Sequence, residues 1–485
     1  MVIDNFKKVL KNKNFLSLTA NLSVAVFGLL SFLLLTRSLT KDAFGEWVLF
    51  ITAANFLEML RFGITRTAIV RFLSGAEGEH RQKLIGSNWM IGLIVSALIA
   101  AIILAARFIF PSLAETSSYR LFFIWYPLLA FLNLPFNNAL SILQADQDFT
   151  KVLIVRIIQT STFVFFLVIN LLFFNYPLIH IVMVYLAIQL LTSLFTIVKQ
   201  WDGLKYIAKA TKETNKTILN FGKYTTGTLI GSNLLKSSDT FILGISTFMG
   251  STGVALYSVP LKLTEIIEIP LRSFMATAYP MMSKAAISKN MDEFKKIYYT
   301  YAGAITYLLL PVAIIGFIFA EEFVIILGGY KYIHTADIFR IFAIYGLLLP
   351  IDRFTGVALD SLNRPKKNFF KVIWMASANI LGDVFVIFVA LKYMLGVSLL
   401  ALIFETGINF DNLFPAAAQF SFYLTLQGVA LVTILMTVVG MLVGYSYLRK
   451  EIDVHLRNVF TEGLAFYISY IRKFRNKDVQ PSEDK

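Results

Sequence analysis

The chain has 485 residues, 57% of them hydrophobic and only 15% charged, with a net charge of +14 and a mean hydropathy of +0.69. Soluble domains run about 45–50% apolar and about 25% charged, so a soluble enzyme is excluded and most of the chain is solvated by lipid. Cysteine is absent, which excludes a disulfide framework, a thiolate metal site and a thiol nucleophile.

Four lysines (Lys7, Lys8, Lys11, Lys13) precede the first apolar run, 15–36. That run is longer than the apolar region of a signal peptide and lacks a small-residue cleavage site, so it reads as a retained span. Further apolar runs follow at 46–68, 85–110, 120–143, 152–174, 177–198, 221–247, 252–278, 297–320, 335–358, 369–391 and 420–447. Each is long enough to cross a hydrocarbon core of about 30 Å. Lipid leaves only helices or closed barrels, and these runs are continuous rather than alternating, so the expected fold is an all-α membrane protein of about twelve transmembrane helices. The stretch 392–419 fits this scheme least well, and an extension of span eleven, a re-entrant piece and an outer loop marked by Glu405 and Asp411 all stay open.

Charge orients the stack. Counted together with the span ends that adjoin them, the tails and the loops after spans 2, 4, 6, 8 and 10 hold 33 of the 44 Lys and Arg, against 7 on the opposite side. That asymmetry places both termini in the cytoplasm. It also accounts for the basic balance, so no nucleic-acid partner is expected. The most lysine-rich loop, 199–223, lies near the chain midpoint and reads as a linker between two six-helix bundles. The expected organisation is a lobe at 1–198, a cytoplasmic linker at 199–220, a second lobe at 221–448 and a basic cytoplasmic tail at 449–485. A weak internal echo supports two halves: Ala139-Leu140-Ser141-Ile142-Leu143-Gln144 ends span four, and Ala358-Leu359-Asp360-Ser361-Leu362-Asn363 ends span ten. Parallel repeats of this kind are a transporter feature.

Ionisable residues inside the spans carry most of the information. Each costs roughly 2.5–3.5 kcal/mol on insertion scales, so such residues face a cavity or a partner. Span two has Asn55, Glu58 and Arg61, and span seven has Lys236 and Asp239. Span eight has Lys262, Glu265, Glu268 and Arg272, while span eleven has Asn379 and Asp383. Steps of three, three and four put the four charges of span eight on one helix face. Two readings stand side by side: self-satisfied pairs (Glu58 with Arg61, Lys236 with Asp239, and two pairs on span eight), or a shared polar cavity. In a cavity the cations suit an anionic group such as pyrophosphate. The carboxylates Glu58, Asp239, Glu265, Glu268 and Asp383 suit cavity lining or coupling to Na+ or H+, since burial brings a carboxyl toward the range where it loads and unloads a proton. Asn133, Asn137 and Asn138 could meet sugar hydroxyls or join helices. No phosphate-cradling glycine loop, nucleophile elbow or paired-histidine zinc motif occurs, so neither an enzyme, an ATP-driven pump nor a bound cofactor is expected.

Spans seven and eight read Ser238-Asp239-Thr240-Phe241-Ile242-Leu243-Gly244, then Ala255-Leu256-Tyr257-Ser258, Lys262-Leu263, and Tyr279-Pro280-Met281-Met282-Ser283-Lys284. The first hairpin reads Leu35-Thr36-Arg37-Ser38-Leu39-Thr40-Lys41-Asp42-Ala43-Phe44-Gly45-Glu46-Trp47. In order and spacing these segments resemble the Wzx-type polysaccharide and O-antigen flippases of the multidrug/oligosaccharidyl-lipid/polysaccharide (MOP) exporter superfamily. Lys262 stands where that pattern has a basic residue, more commonly arginine, and Ala255 where it has glycine. The resemblance implies a two-lobed, inverted-V transporter of the inner (cytoplasmic) membrane that moves undecaprenyl-pyrophosphate-linked oligosaccharide by alternating access for surface polysaccharide such as lipopolysaccharide. It implies substrate binding by Lys262, then Arg61, Arg272 and Lys236. The implied partners are the lipid-linked oligosaccharide and the bilayer, with a polysaccharide polymerase and glycosyltransferases nearby. An ion-coupled exporter of the multidrug (MATE) branch is the alternative, and a membrane glycosyltransferase or polymerase a more distant one, because the loops after spans one, five and seven are only a few residues long.

Overall fold

The computed structural model describes residues 13–390 and 410–477, and every regular element among them is a helix. Lipid as solvent requires this, since each span must close its backbone hydrogen bonds within itself. Residues 392–409, most of the stretch left open by the sequence, lie outside the described residues; 410–419 open a helix.

Two compact units divide the chain, Met1–Ala255 and Leu256–Lys485. The first contains α1 (Lys13–Ser38), α2 (Lys41–Leu73), α3 (Gly78–Ile109), α4 (Arg120–Leu132), α5 (Leu134–Ala145), α6 (Phe149–Ile169), α7 (Leu178–Val198) and α8 (Lys212–Ile245). Within it α8 packs along α2, and α1 along α6. The boundary falls inside α9 (Gly250–Ile287), and the second unit continues with α10 (Met291–Ile318), α11 (Ala336–Ser361), α12 (Pro365–Val384), α13 (Phe410–Ile452) and α14 (Leu456–Lys477). There α10 packs on α11 and α14, and α13 on α11 and α12.

Among the described residues nine helices are long and apolar enough to cross a membrane, and ten if the bent pair α4 and α5 is one span. The sequence led us to expect about twelve. The two long helices that fall short are α8 and α9, at 34 and 38 residues. Their polar content is responsible, and they are the helices that carry Lys236 and Asp239, and Lys262 to Arg272. Elsewhere the surface is apolar in the way lipid demands. On α3, Ile94, Leu98 and Ile102 are 51, 58 and 66% exposed, and four-residue spacing puts them on one face.

Span four is not one straight helix. It bends by 46° between α4 and α5, where Pro135 stands in the first turn of α5. Proline cannot donate to the carbonyl four residues back and its ring crowds it, so the α4 ladder stops at Leu132. The last carbonyls of α4 are thereby left to find other partners.

The segment expected as a linker is a packed strap. Leu204–Lys209 forms a 3-10 turn against α3. Gly86 permits the approach, since a Cβ there would sit 2.3 Å from the Tyr206 carbonyl oxygen. The Trp89 indole Nε1 donates to the Asp202 carbonyl at 2.8 Å. Burial holds the Asp202 carboxyl above its ordinary range, even though the backbone N–H groups of Leu204 and Gly203 donate to it. Thr211 caps α8, accepting from the Thr214 N–H at 3.3 Å while Thr214 bonds back. This box starts the helix at Lys212, nine residues before the apolar run at 221. A Trp89→Phe substitution strands the buried Asp202 carbonyl, so it should cost about 1–3 kcal/mol. Faster proteolysis between 199 and 216 in the native protein checks this.

The basic tail contains an unexpected helix, α14, laid across α10. Gly303 of α10 and Gly463 of α14 meet backbone to backbone, and a Cβ on Gly303 would lie 2.0 Å from the Val459 carbonyl oxygen. His455 N–H donates to the Tyr299 hydroxyl at 2.9 Å, and the Tyr467 hydroxyl to the Ala304 carbonyl at 2.9 Å. Gly303→Val should cost about 1–3 kcal/mol through overpacking, read as a lower melting temperature in detergent together with protease access to α14.

Candidate functional site

In the first unit Glu58 and Arg61 of α2 turn inward. The Arg61 side chain is fully buried and paired with Glu58 three residues before it. Its Nη1 donates to the Ser96 hydroxyl of α3 at 2.7 Å and to the Ala130 carbonyl of α4, and its Nη2 donates to Glu58 Oε2. Ala130 lies in the last turn of α4, so the guanidinium caps a carbonyl orphaned by the break at Pro135. A cation at the negative end of a helix dipole is favourable there. Tyr126 donates to Glu58 Oε1 at 3.3 Å, and Arg61 lies over the Phe62 ring at 4.3 Å. In this structure the Arg61 guanidinium is closed to any ligand.

On α8, Lys236 is exposed and Asp239 is buried, with the Ser238 hydroxyl donating to Asp239 Oδ1 at 3.4 Å. The asparagines of span four act as joints: Asn88 of α3 donates to Asn138 Oδ1 at 2.8 Å, and Asn133 is buried at the break.

In the second unit α9 presents a partly exposed charged strip. Lys262 Nζ meets Glu265 Oε2 at 2.7 Å, and Arg272 Nη2 meets Glu268 Oε2 at 3.4 Å. Glu268 also accepts from Arg353 of α11 at 3.2 Å. One carboxylate thus serves two guanidiniums, and three cations face two carboxylates. The side chains of Lys262, Arg353 and Arg272 are 24, 37 and 59% exposed, so the strip is within reach of a ligand. From Lys262 to Arg272 it runs about 15 Å along the helix axis. Three prolines, Pro260, Pro270 and Pro280, interrupt the α9 ladder beside it; each withholds one N–H and leaves a carbonyl to other partners, as transmembrane helices near polar surfaces tolerate.

Arg353 did not emerge from the sequence as a site residue. The signal was present in Asp352-Arg353, two charges near the end of an apolar run. The other half of that signal is structural: Asp352 pairs with Lys371 of α12 at 2.6 Å, both side chains nearly sealed from solvent. Deeper on α12, Asn379 and Asp383 are fully buried one turn apart, Asn379 Nδ2 donating to Asp383 Oδ2 at 3.4 Å. Among the described residues no three His, Asp or Glu side chains gather as a metal site would require.

A family profile described as "Polysaccharide biosynthesis protein" matches residues 10–286, more than half of the chain. The chain belongs to the polysaccharide biosynthesis protein family. No curated protein matches it by sequence. Among solved structures it is similar to an inward-facing multidrug resistance MATE family transporter of the MOP superfamily, with a TM-score of 0.66 at 15% identity over 89% of this chain and 94% of that one. It is similar to the lipid II flippase MurJ in an inward closed conformation, with a TM-score of 0.65 at 16% identity over 96% and 94%. A MOP superfamily transporter from Pyrococcus furiosus follows at 0.52 and 14%, over 92% and 97%. This family member therefore has the multi-pass helical fold of these MOP superfamily structures, as the sequence resemblance implied.

Proposed function

We propose that the protein is a flippase that carries a polyprenyl-pyrophosphate-linked oligosaccharide across the cytoplasmic membrane for surface polysaccharide assembly. Its family supplies the pathway class, and its fold is shared with a protein described as a lipid II flippase. The observation that carries the reading is the α9 strip. Lys262, Arg272 and Arg353 share two carboxylates, which leaves positive potential for an anion with several oxygens. Guanidiniums grip such groups in forked pairs. Lys236, exposed on α8, is a further contact candidate, whereas Arg61 serves the interior of its own unit.

Both termini are assigned to the cytoplasm on the loop charge asymmetry, and α8 and α9 are counted as spans seven and eight, giving two sets of six spans with the strap between spans six and seven in the chain. The buried carboxylates Asp239 and Asp383 are the candidates for Na+ or H+ coupling, and a polysaccharide polymerase and glycosyltransferases the expected partners. An ion-coupled drug exporter is the competing reading, favoured by the likeness to the MATE transporter. A drug cation, however, would meet a strip with one positive charge in excess.

The test is mass spectrometry of lipid-linked intermediates in a strain lacking the protein. Accumulation of one pyrophosphate-linked oligosaccharide, relieved by the restored gene, is the expected result and names the substrate. An unchanged lipid-linked pool together with new drug sensitivity overturns the proposal in favour of the exporter.

A further inference from the structure

We infer that α14 is a membrane-surface helix whose free apolar edge and basic C-terminal turns engage anionic phospholipid. Only half of its apolar face is used by protein. Val459 and Gly463 are buried against α10, whereas Phe460, Leu464 and Ile468 are 44, 48 and 43% exposed. Four-residue spacing aligns those three along one edge of the helix. The opposite face carries Thr461, Glu462, Ala465 and Ser469. A helix with one apolar flank, one polar flank and modest overall hydrophobicity lies in the membrane interface, its apolar side sunk about 5–10 Å.

The contact with α10 sets the depth. Tyr299 and Gly303 lie two and six residues into the apolar run that begins at 297, so α14 crosses α10 about 3–9 Å inside the hydrocarbon boundary of one leaflet. A groove of about 240 Å³ opens there between α9, α10 and α14, lined by Phe274, Thr277, Tyr301 and Phe466, room enough for part of an acyl chain. Charge selects the lipid. Arg457 and the run Arg472, Lys473, Arg475 and Lys477 give α14 five basic residues against the single acid Glu462. Lys295 and Lys296 sit at the same end of α10. Basic residues at a membrane surface favour anionic over neutral headgroups by roughly fivefold each.

The absence of cysteine makes the test clean. Full-length Leu464→Cys and Ala465→Cys proteins, each labelled with an environment-sensitive fluorophore, are reconstituted in phosphatidylcholine vesicles with and without phosphatidylglycerol. The label at 464 should be quenched by spin-labelled lipid and shielded from aqueous iodide when phosphatidylglycerol is present, and that at 465 should stay open to iodide. Changing Arg472, Lys473, Arg475 and Lys477 to glutamine in the Leu464→Cys background should abolish the phosphatidylglycerol dependence. Equal iodide access at 464 and 465 overturns the inference. So does a 464 label embedded equally in both vesicles, or one indifferent to the four glutamines.

Discussion

Arg61→Ala is expected to cost about 3–5 kcal/mol of folding stability, since it leaves the buried Glu58 carboxylate without its charge partner. Two other groups lose a donor at once: the Ser96 hydroxyl and the Ala130 carbonyl at the α4 break. Arg61→Lys should recover little of this, because a single ammonium cannot reproduce a fork that reaches α2, α3 and α4 together. The informative companion is the double variant Glu58→Leu/Arg61→Met. Replacing a whole buried ion pair by apolar groups is often neutral, so its melting temperature should return toward that of the parent. A double variant as unstable as Arg61→Ala would mean that the capping of α4, rather than charge compensation, dominates.

The α9 strip should behave in the opposite way. Its pairs are partly exposed, so Lys262→Gln, Arg272→Gln and Arg353→Gln should each change stability by no more than about 1 kcal/mol. Their effect should fall on the substrate. A charge-assisted hydrogen bond is worth about 1.5–3 kcal/mol, so each substitution should weaken recognition of the pyrophosphate group by about tenfold to hundredfold. Glu268→Gln, which frees both arginines, should tighten substrate retention and slow its release. Lipid-linked oligosaccharide accumulating behind correctly inserted variants provides the readout. Normal export in all three cation variants would remove the strip from the mechanism.

Much of the fold was legible because lipid imposes so few solutions. Long apolar runs gave the helices, and their order and the motifs around Asp239 and Lys262 pointed to the polysaccharide family that the profile match shows. Less legible were features that depend on what packs beside a helix. The break in span four rests on Pro135, visible in the sequence, but its consequence, an orphaned Ala130 carbonyl capped from α2, needs the third dimension. For the same reason the different surroundings of Arg61, Lys262 and Arg272 are not legible in sequence. Each has an acid one turn away, yet Arg61 is sealed inside its unit, while Lys262 and Arg272 meet their acids on an accessible face. Arg353 and the α14 helix are hard to read in sequence for a related reason. Arg353 acquires meaning from Glu268, 85 residues away. The apolar residues of α14 are spread through a polar, basic tail, and only their helical spacing gathers them on one face.

The proposed flippase would move a pyrophosphate-linked glycolipid between leaflets by means of the α9 strip. Purified protein in vesicles bearing a fluorescent polyprenyl-pyrophosphate oligosaccharide on one leaflet, followed by an impermeant quencher, measures that movement directly. The wild type should equilibrate the lipid between leaflets, and Lys262→Gln/Arg353→Gln should slow it by about hundredfold with unchanged melting temperature. Wild-type vesicles no faster than empty ones, or a double variant as fast as the wild type, would contradict the account.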